Sequence, residues 1–135
     1  LPAHRRILTI HLEDPAAVIW QDVREDLPKV TPMNQQVLVA NYVRPATHTV
    51  GGVEIAEEAV DEDRYQGKIG MVLKKGPMAF VSEGAIQFHG QDVEPGDWVV
   101  YRASEGLKGM IGNREVRFIA DVHIRAKIAH PDAVF

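Results

Sequence analysis

The sequence predicts an all-β domain, a small β-barrel carrying one long mobile loop, with a short N-terminal strand-and-helix arm in front of it. Three observations lead there. Short runs of apolar and β-branched residues recur at close spacing, with Gly and Pro between them, which is the pattern of a small barrel. The stretch from Arg44 to Gln66 keeps neither a helical nor a strand period, and a compact domain seldom holds so long a structureless segment unless it works. Residues 1–30 carry the one clear helix signature. The 135 residues therefore divide into an arm, 1–30, and a barrel domain, 31–135.

In the arm, Ile7-Leu8-Thr9-Ile10-His11-Leu12 has the composition of a short strand. Asp14-Pro15 starts a helix, with Asp14 as N-cap and Pro15 where a missing N–H costs nothing. Ile19, Val23 and Leu27 follow at spacing four beside Trp20, so one apolar stripe faces inward, packed on the barrel or on a neighbour, and Pro28 ends the helix. Thr31–Gln36 leads into the first barrel strand, Val37–Val43. After the loop, Lys68–Leu73 forms the second, broken by Lys74-Lys75-Gly76-Pro77. Met78–Val81 and Ala85–Phe88 flank Ser82-Glu83-Gly84 as a hairpin. In Asp92–Asp97, Pro95 presets one turn angle and Gly96 supplies the unusual one. Trp98–Tyr101 is a buried strand, Gly106–Asn113 a turn-rich connection, and Glu115–Ala120 a strand. Val122–Ile128 alternates strictly between apolar and polar, with one face on a core. As the terminal strands of the barrel, the opening strand near Val37 and Val122–Ile128 are expected to be edges, and exposed edges tend to pair.

Composition excludes several functions. There is no cysteine, hence no disulfide, thiolate site or cysteine nucleophile. A net charge of -4 and a pI near 5.8 give no basic footprint for nucleic acid. No apolar run has membrane-spanning length, and Leu1–Arg6 lacks the apolar core of a signal peptide. His4, His11, His48, His89, His123 and His130 are scattered, none at ligand spacing with another. Ser82 and Ser104, the only serines, sit in no nucleophile elbow. Gly106, Gly109 and Gly112 lack the lysine and helix of a phosphate loop, and the acidic run Asp61-Glu62-Asp63 has no fixed geometry for a cation. The sequence thus predicts no enzyme, cofactor or metal. What remains is the loop, in which Gly51-Gly52 frees the backbone ahead of a small apolar knot, Val53 and Ile55. It reads as a tether presenting a short apolar motif to a partner.

From Thr31 to about Ile128 the chain resembles the GroES-type co-chaperonins. Pro32-Met33 before Val37-Leu38-Val39 is similar to that family's opening strand. Thr49-Val50-Gly51-Gly52-Val53 is similar to its threonine-x-glycine-glycine-aliphatic loop motif, and Gly67-Lys68-Ile69 to the restart of the barrel after it. Val93-Glu94-Pro95-Gly96-Asp97-Trp98-Val99-Val100-Tyr101 resembles its most specific signature, a Gly-Asp turn entering an apolar strand. The resemblance implies a GroES-like barrel in a ring of identical subunits. Neighbours would pair first and last strands, and the loop would dock into an apolar groove of the large chaperonin in the cytoplasm.

On that reading the docking residues are Thr49, Gly51, Gly52, Val53, Glu54 and Ile55. The candidates for subunit contacts are Trp20, Val37, Val39, Val122, Ile124 and Ile128. Where the family has three consecutive aliphatics, this chain has Val53-Glu54-Ile55, which in an extended segment sends Glu54 to the opposite face. The arm has no counterpart in the plain family. It leaves open a second reading, in which the same fold serves as a structural protein of a large assembly, such as a capsid decoration or cement protein of a virion, with the capsid protein as partner and Trp20 as anchor.

Overall fold

The computed structural model describes residues 14–43 and 68–133 in full and, as backbone, the strand residues 7–9, 48–50 and 53–54. Its elements run β1 (Ile7–Thr9), α1 (Pro15–Val23), a 3-10 turn (Leu27–Lys29), β2 (Gln36–Asn41), β3 (His48–Val50), β4 (Val53–Glu54), β5 (Ile69–Lys75), β6 (Trp98–Tyr101), β7 (Leu107–Ile111), β8 (Arg114–Ala120), a second 3-10 turn (Asp121–His123) and β9 (Ile124–Ile128). Six of the strands make one antiparallel sheet in the order β7-β8-β2-β5-β6-β9, and β1, β3 and β4 make a separate three-stranded sheet. The large sheet is the barrel-type, all-β architecture expected, although its edge strands β7 and β9 do not pair with each other.

β2 is the middle of that sheet. Val37 lies opposite Ile119 of β8 and Lys75 of β5, and Ala40 opposite Val116 and Met71. Successive residues of a strand point to opposite faces, yet Val37, Leu38, Val39 and Ala40 are all fully buried. Both faces of the sheet must therefore be covered. On one face Leu38, Ala40, Ile69, Met71, Leu73 and Trp98 pack with Ile19 and Val23 of α1. On the other, Val37, Val39, Val72, Val99 and Ile119 pack with Ala79 and Val93, from the excursion between β5 and β6.

Several expectations are corrected by this arrangement. β2 is interior rather than an edge, and Val37 and Val39 are buried in the chain's own core. The helix packs on its own sheet, one of the two placings that its apolar stripe left open: Ile19 and Val23 are 1% and 0% exposed. Arg114 fixes it to β8 through two bonds to Asp22 Oδ2, from Nη2 at 2.7 Å and Nε at 3.2 Å. Lys74 Nζ donates to the carbonyls of Leu27 and Val30 at 2.9 and 2.8 Å, tying down the segment after the helix. The helix ends at Val23, one turn short of Pro28, and the chain tightens into the 3-10 turn that contains Leu27 and Pro28.

The stretch read as a turn-rich connection holds strand β7. Its hairpin with β8 turns on Gly112-Asn113, between the paired Ile111 and Arg114, and Gly112 adopts φ +61°, the left-handed conformation that two-residue hairpins require. The expected hairpin around Ser82-Glu83-Gly84 reduces to one tight turn, with Glu83 and Ile86 exchanging backbone bonds of 2.8 and 3.0 Å. The alternation of Val122–Ile128 is interrupted because buried Asp121 accepts the amides of Val122 (2.7 Å) and Phe80 (3.0 Å) and closes a 3-10 turn there.

The Glu94–Asp97 turn forms as the sequence requires. Asp97 N–H donates to the Glu94 carbonyl at 3.0 Å, and Gly96 takes φ +98° after Pro95, as in a type II turn. Gly96 N–H and Val72 N–H then bond Val72 O and Asp97 O, at 2.8 and 2.9 Å, and dock the turn on β5. Beside it Lys75 Nζ lies 2.8 Å from Asp92 Oδ1 and 3.1 Å from Glu94 Oε1. Burial alone would push the Asp92 carboxyl up. Hydrogen bonds from Lys75 and from Val93 N–H, with the charges of Lys75 and Lys127, outweigh it and hold the group below its ordinary value.

Two tests follow from this packing. Ile19→Ala should cost about 2–5 kcal/mol, the range for truncating a buried aliphatic, and helix and sheet should still unfold in one transition in urea, followed by circular dichroism and tryptophan fluorescence. The Asp92 contribution is complete above the ordinary carboxylate range, about pH 4, and is lost as pH falls through the lower folded-state value. The stability difference between the wild type and Asp92→Asn should accordingly be constant at neutral pH and shrink in acid, as measured by urea unfolding at a series of pH values.

Candidate functional site

The candidate docking segment leaves the barrel after Val43 and re-enters at Lys68, so its geometry starts from what holds those two points. Tyr42 N–H donates to the Ile69 carbonyl at 2.8 Å, which closes the base. The Tyr42 hydroxyl donates to Asp132 Oδ1 at 2.6 Å, and its ring meets Trp98 edge-on, with centroids 5.6 Å apart and an interplanar angle of 76°. One strand deeper, Tyr101 donates its hydroxyl proton to Asn41 Oδ1 at 2.5 Å, and its oxygen lies 3.3 Å from the Ile69 carbonyl. Burial pushes the Tyr101 phenol well above its ordinary range, so it stays a neutral donor. Arg117, fully buried, lies over the Tyr101 ring at 5.3 Å. Its Nη1 donates to the carbonyls of Ala103 and Glu105.

Gly70 allows this closeness. A Cβ there would overlap Val39 Cγ1 and stand 2.5 Å from the Ala40 carbonyl oxygen and 3.1 Å from the Tyr101 hydroxyl. Glycine inside a strand often marks such an approach. Sequence reading passed over Asn41, Gly70 and Tyr101. The available signals were that interior glycine and a Tyr in a buried strand, whose hydroxyl has to find a partner.

Within the segment, Thr49 and Val50 of β3 pair with Glu54 and Val53 of β4, and β3 pairs on its other side with β1 of the arm, Ile7 opposite Val50. Thr49, Val53 and Glu54 are thus brought together on one hairpin. Gly51, Gly52 and Ile55 lie outside the described residues, as do the acidic run Asp61-Glu62-Asp63 and the histidines His4 and His11. Of the candidate contact residues, Ile124 and Ile128 lie on β9, half-buried, and Val122 is 47% exposed just before it. Among the described residues β9 pairs only with β6. Val122 also lines a shallow groove with Met78, Val81, Ile86 and Phe88. Trp20 is half-buried against its own core. Among the described residues no three His, Asp or Glu side chains are grouped to hold a metal ion, and no helix is long and apolar enough to cross a membrane.

The family model of the chaperonin 10 kDa subunit matches residues 29–128. The chain belongs to this co-chaperonin family. The match takes in the large sheet, the candidate docking segment and the Gly-Asp turn, and it begins after α1, so β1 and α1 lie in front of it. A comparison with curated proteins finds no match. The family role in general is that of a non-enzymatic co-chaperonin acting with a large chaperonin.

Because a Gly70 side chain would run into both the buried Val39 side chain and the Ala40 backbone carbonyl, Gly70→Ala should destabilise the chain by about 1–3 kcal/mol, the usual cost of overpacking. A lowered thermal midpoint would show it, with Gly109→Ala as the tolerated control: a Cβ at position 109 meets nothing nearer than 3.8 Å.

Proposed function

We propose that this chain is a subunit of an oligomeric lid that docks the hairpin around Val53 onto an apolar groove of a chaperonin and assists protein folding in the cytoplasm. The observation that carries the reading is the pairing of Thr49-Val50 with Val53-Glu54 at the position where the family places its docking motif, on a base closed by Tyr42 and Ile69. The extended backbone at Val53-Glu54 supports the period-two arrangement, in which Glu54 takes the face opposite Val53 and the motif keeps one apolar side. Thr49, Gly51, Gly52, Val53, Glu54 and Ile55 form the docking element.

Neighbouring subunits meet at β9, through Ile124, Ile128 and Val122. Among the described residues this strand has an unpaired side, and edge strands are templates for pairing with another chain. One weak hairpin per subunit suits a lid that must also leave, since linked modest sites give avidity without a single tight contact. Docking of this kind asks for no cofactor of the chain's own.

Val53 and Ile55 each supply about 1.5–3 kcal/mol if fully buried in the groove. The double variant Val53→Ser, Ile55→Ser should therefore lose chaperonin binding while its unfolding midpoint stays at that of the wild type. Undiminished support of ATP-dependent refolding by the double variant would show that docking occurs elsewhere.

A further inference from the structure

The docking hairpin is small. β3 has three residues and β4 has two, and an isolated two-stranded hairpin is marginal at best in water, whereas a third strand changes the balance. The arm supplies that strand. β1 pairs antiparallel with β3 along its whole length, Ile7 with Val50, Leu8 with Thr49 and Thr9 with His48. The register places Ile7, Val50 and Val53 in one row across the three strands, and Leu8, Thr49 and Glu54 in the next. Residues in one row share a face of the sheet, so the row that contains Val53 is aliphatic in all three strands.

Both partners are held near by the barrel. Thr9 is five positions from Asp14, which opens the core helix α1, and His48 is five positions from Val43. Five residues span at most about 17 Å, so β1 and β3 meet within one chain at high effective concentration. The matched family region begins only at residue 29, so this third strand lies in front of it.

We propose that β1 is a built-in third strand that holds the docking hairpin formed before the chaperonin arrives. This rests on the docking role given above. Pre-forming a binding segment raises its affinity by removing ordering costs from the binding step. The arm thus acts on the docking element from within the same subunit, through backbone pairing.

The test uses the full chain, a chain lacking residues 1–9, and Leu8→Pro, which breaks a three-residue strand without shortening the chain. None of these touches α1. Hydrogen exchange at residues 48–50 and 53–54 is followed together with affinity for the chaperonin of the source organism. In both variants exchange at the hairpin should accelerate about tenfold or more while β2 and β5 stay protected, and binding should weaken about tenfold. Unchanged exchange at the hairpin overturns the proposal, and so does faster exchange with equal or tighter binding. The Val53→Ser, Ile55→Ser variant separates the two levels. If it binds as well as the wild type, the docking role falls and the proposal with it. If it loses binding while the β1 variants keep theirs, the proposal alone falls.

Discussion

A central strand with no side left for water is the constraint from which the rest of this fold follows. Val37 to Ala40 are buried without exception, so the sheet that contains them needs cover on both faces. Helix α1 covers one, and the excursion between β5 and β6 covers the other. The excursion is held by Asp121 accepting the Phe80 amide, by the Gly96 turn bonded to Val72 and by Lys75 beside Asp92 and Glu94. The helix is held by Arg114 and the segment after it by Lys74. A segment outside the matched family region thereby became part of the hydrophobic core.

The same strand sets up the candidate site. Its last residue, Asn41, accepts the Tyr101 hydroxyl, and the next residue, Tyr42, closes onto Ile69. The base of the candidate segment is the edge-on pair Tyr42 and Trp98 with the buried hydrogen bonds of Tyr101, packed close over the bare backbone of Gly70.

Much of this could be read from residue types. The Gly-Asp turn, the buried strand Trp98–Tyr101 and the helix start at Asp14-Pro15 carry local chemistry that leaves few alternatives, and the loop motif stands out as the one long stretch without a period. What escaped was decided by tertiary partners. β7 looked like loop because Gly106, Gly109 and Gly112 punctuate it and because its large apolar residues, Leu107 and Met110, are 71% and 63% exposed. A strand with exposed apolar residues on both of its faces has no reason to show a core pattern. Whether an apolar helical stripe packs on its own barrel or on a neighbour is likewise not written in its spacing, so Ile19 and Val23 could not by themselves place the arm. The pairing of β1 with β3 joins strands of three residues some forty positions apart, too short for periodicity and too distant for turn chemistry to reveal.

The two ends of the sheet are guarded unequally. β9 carries Arg125 and Lys127, about half exposed and each close to a carboxylate, and charged side chains on an edge discourage indiscriminate pairing. β7 has a glycine at its centre and the exposed Leu107 and Met110 beside it, with Lys108 its one charge. The free chain therefore offers one edge whose charges select what can pair with it and another whose apolar residues do not, and the hazard of indiscriminate clumping lies at β7.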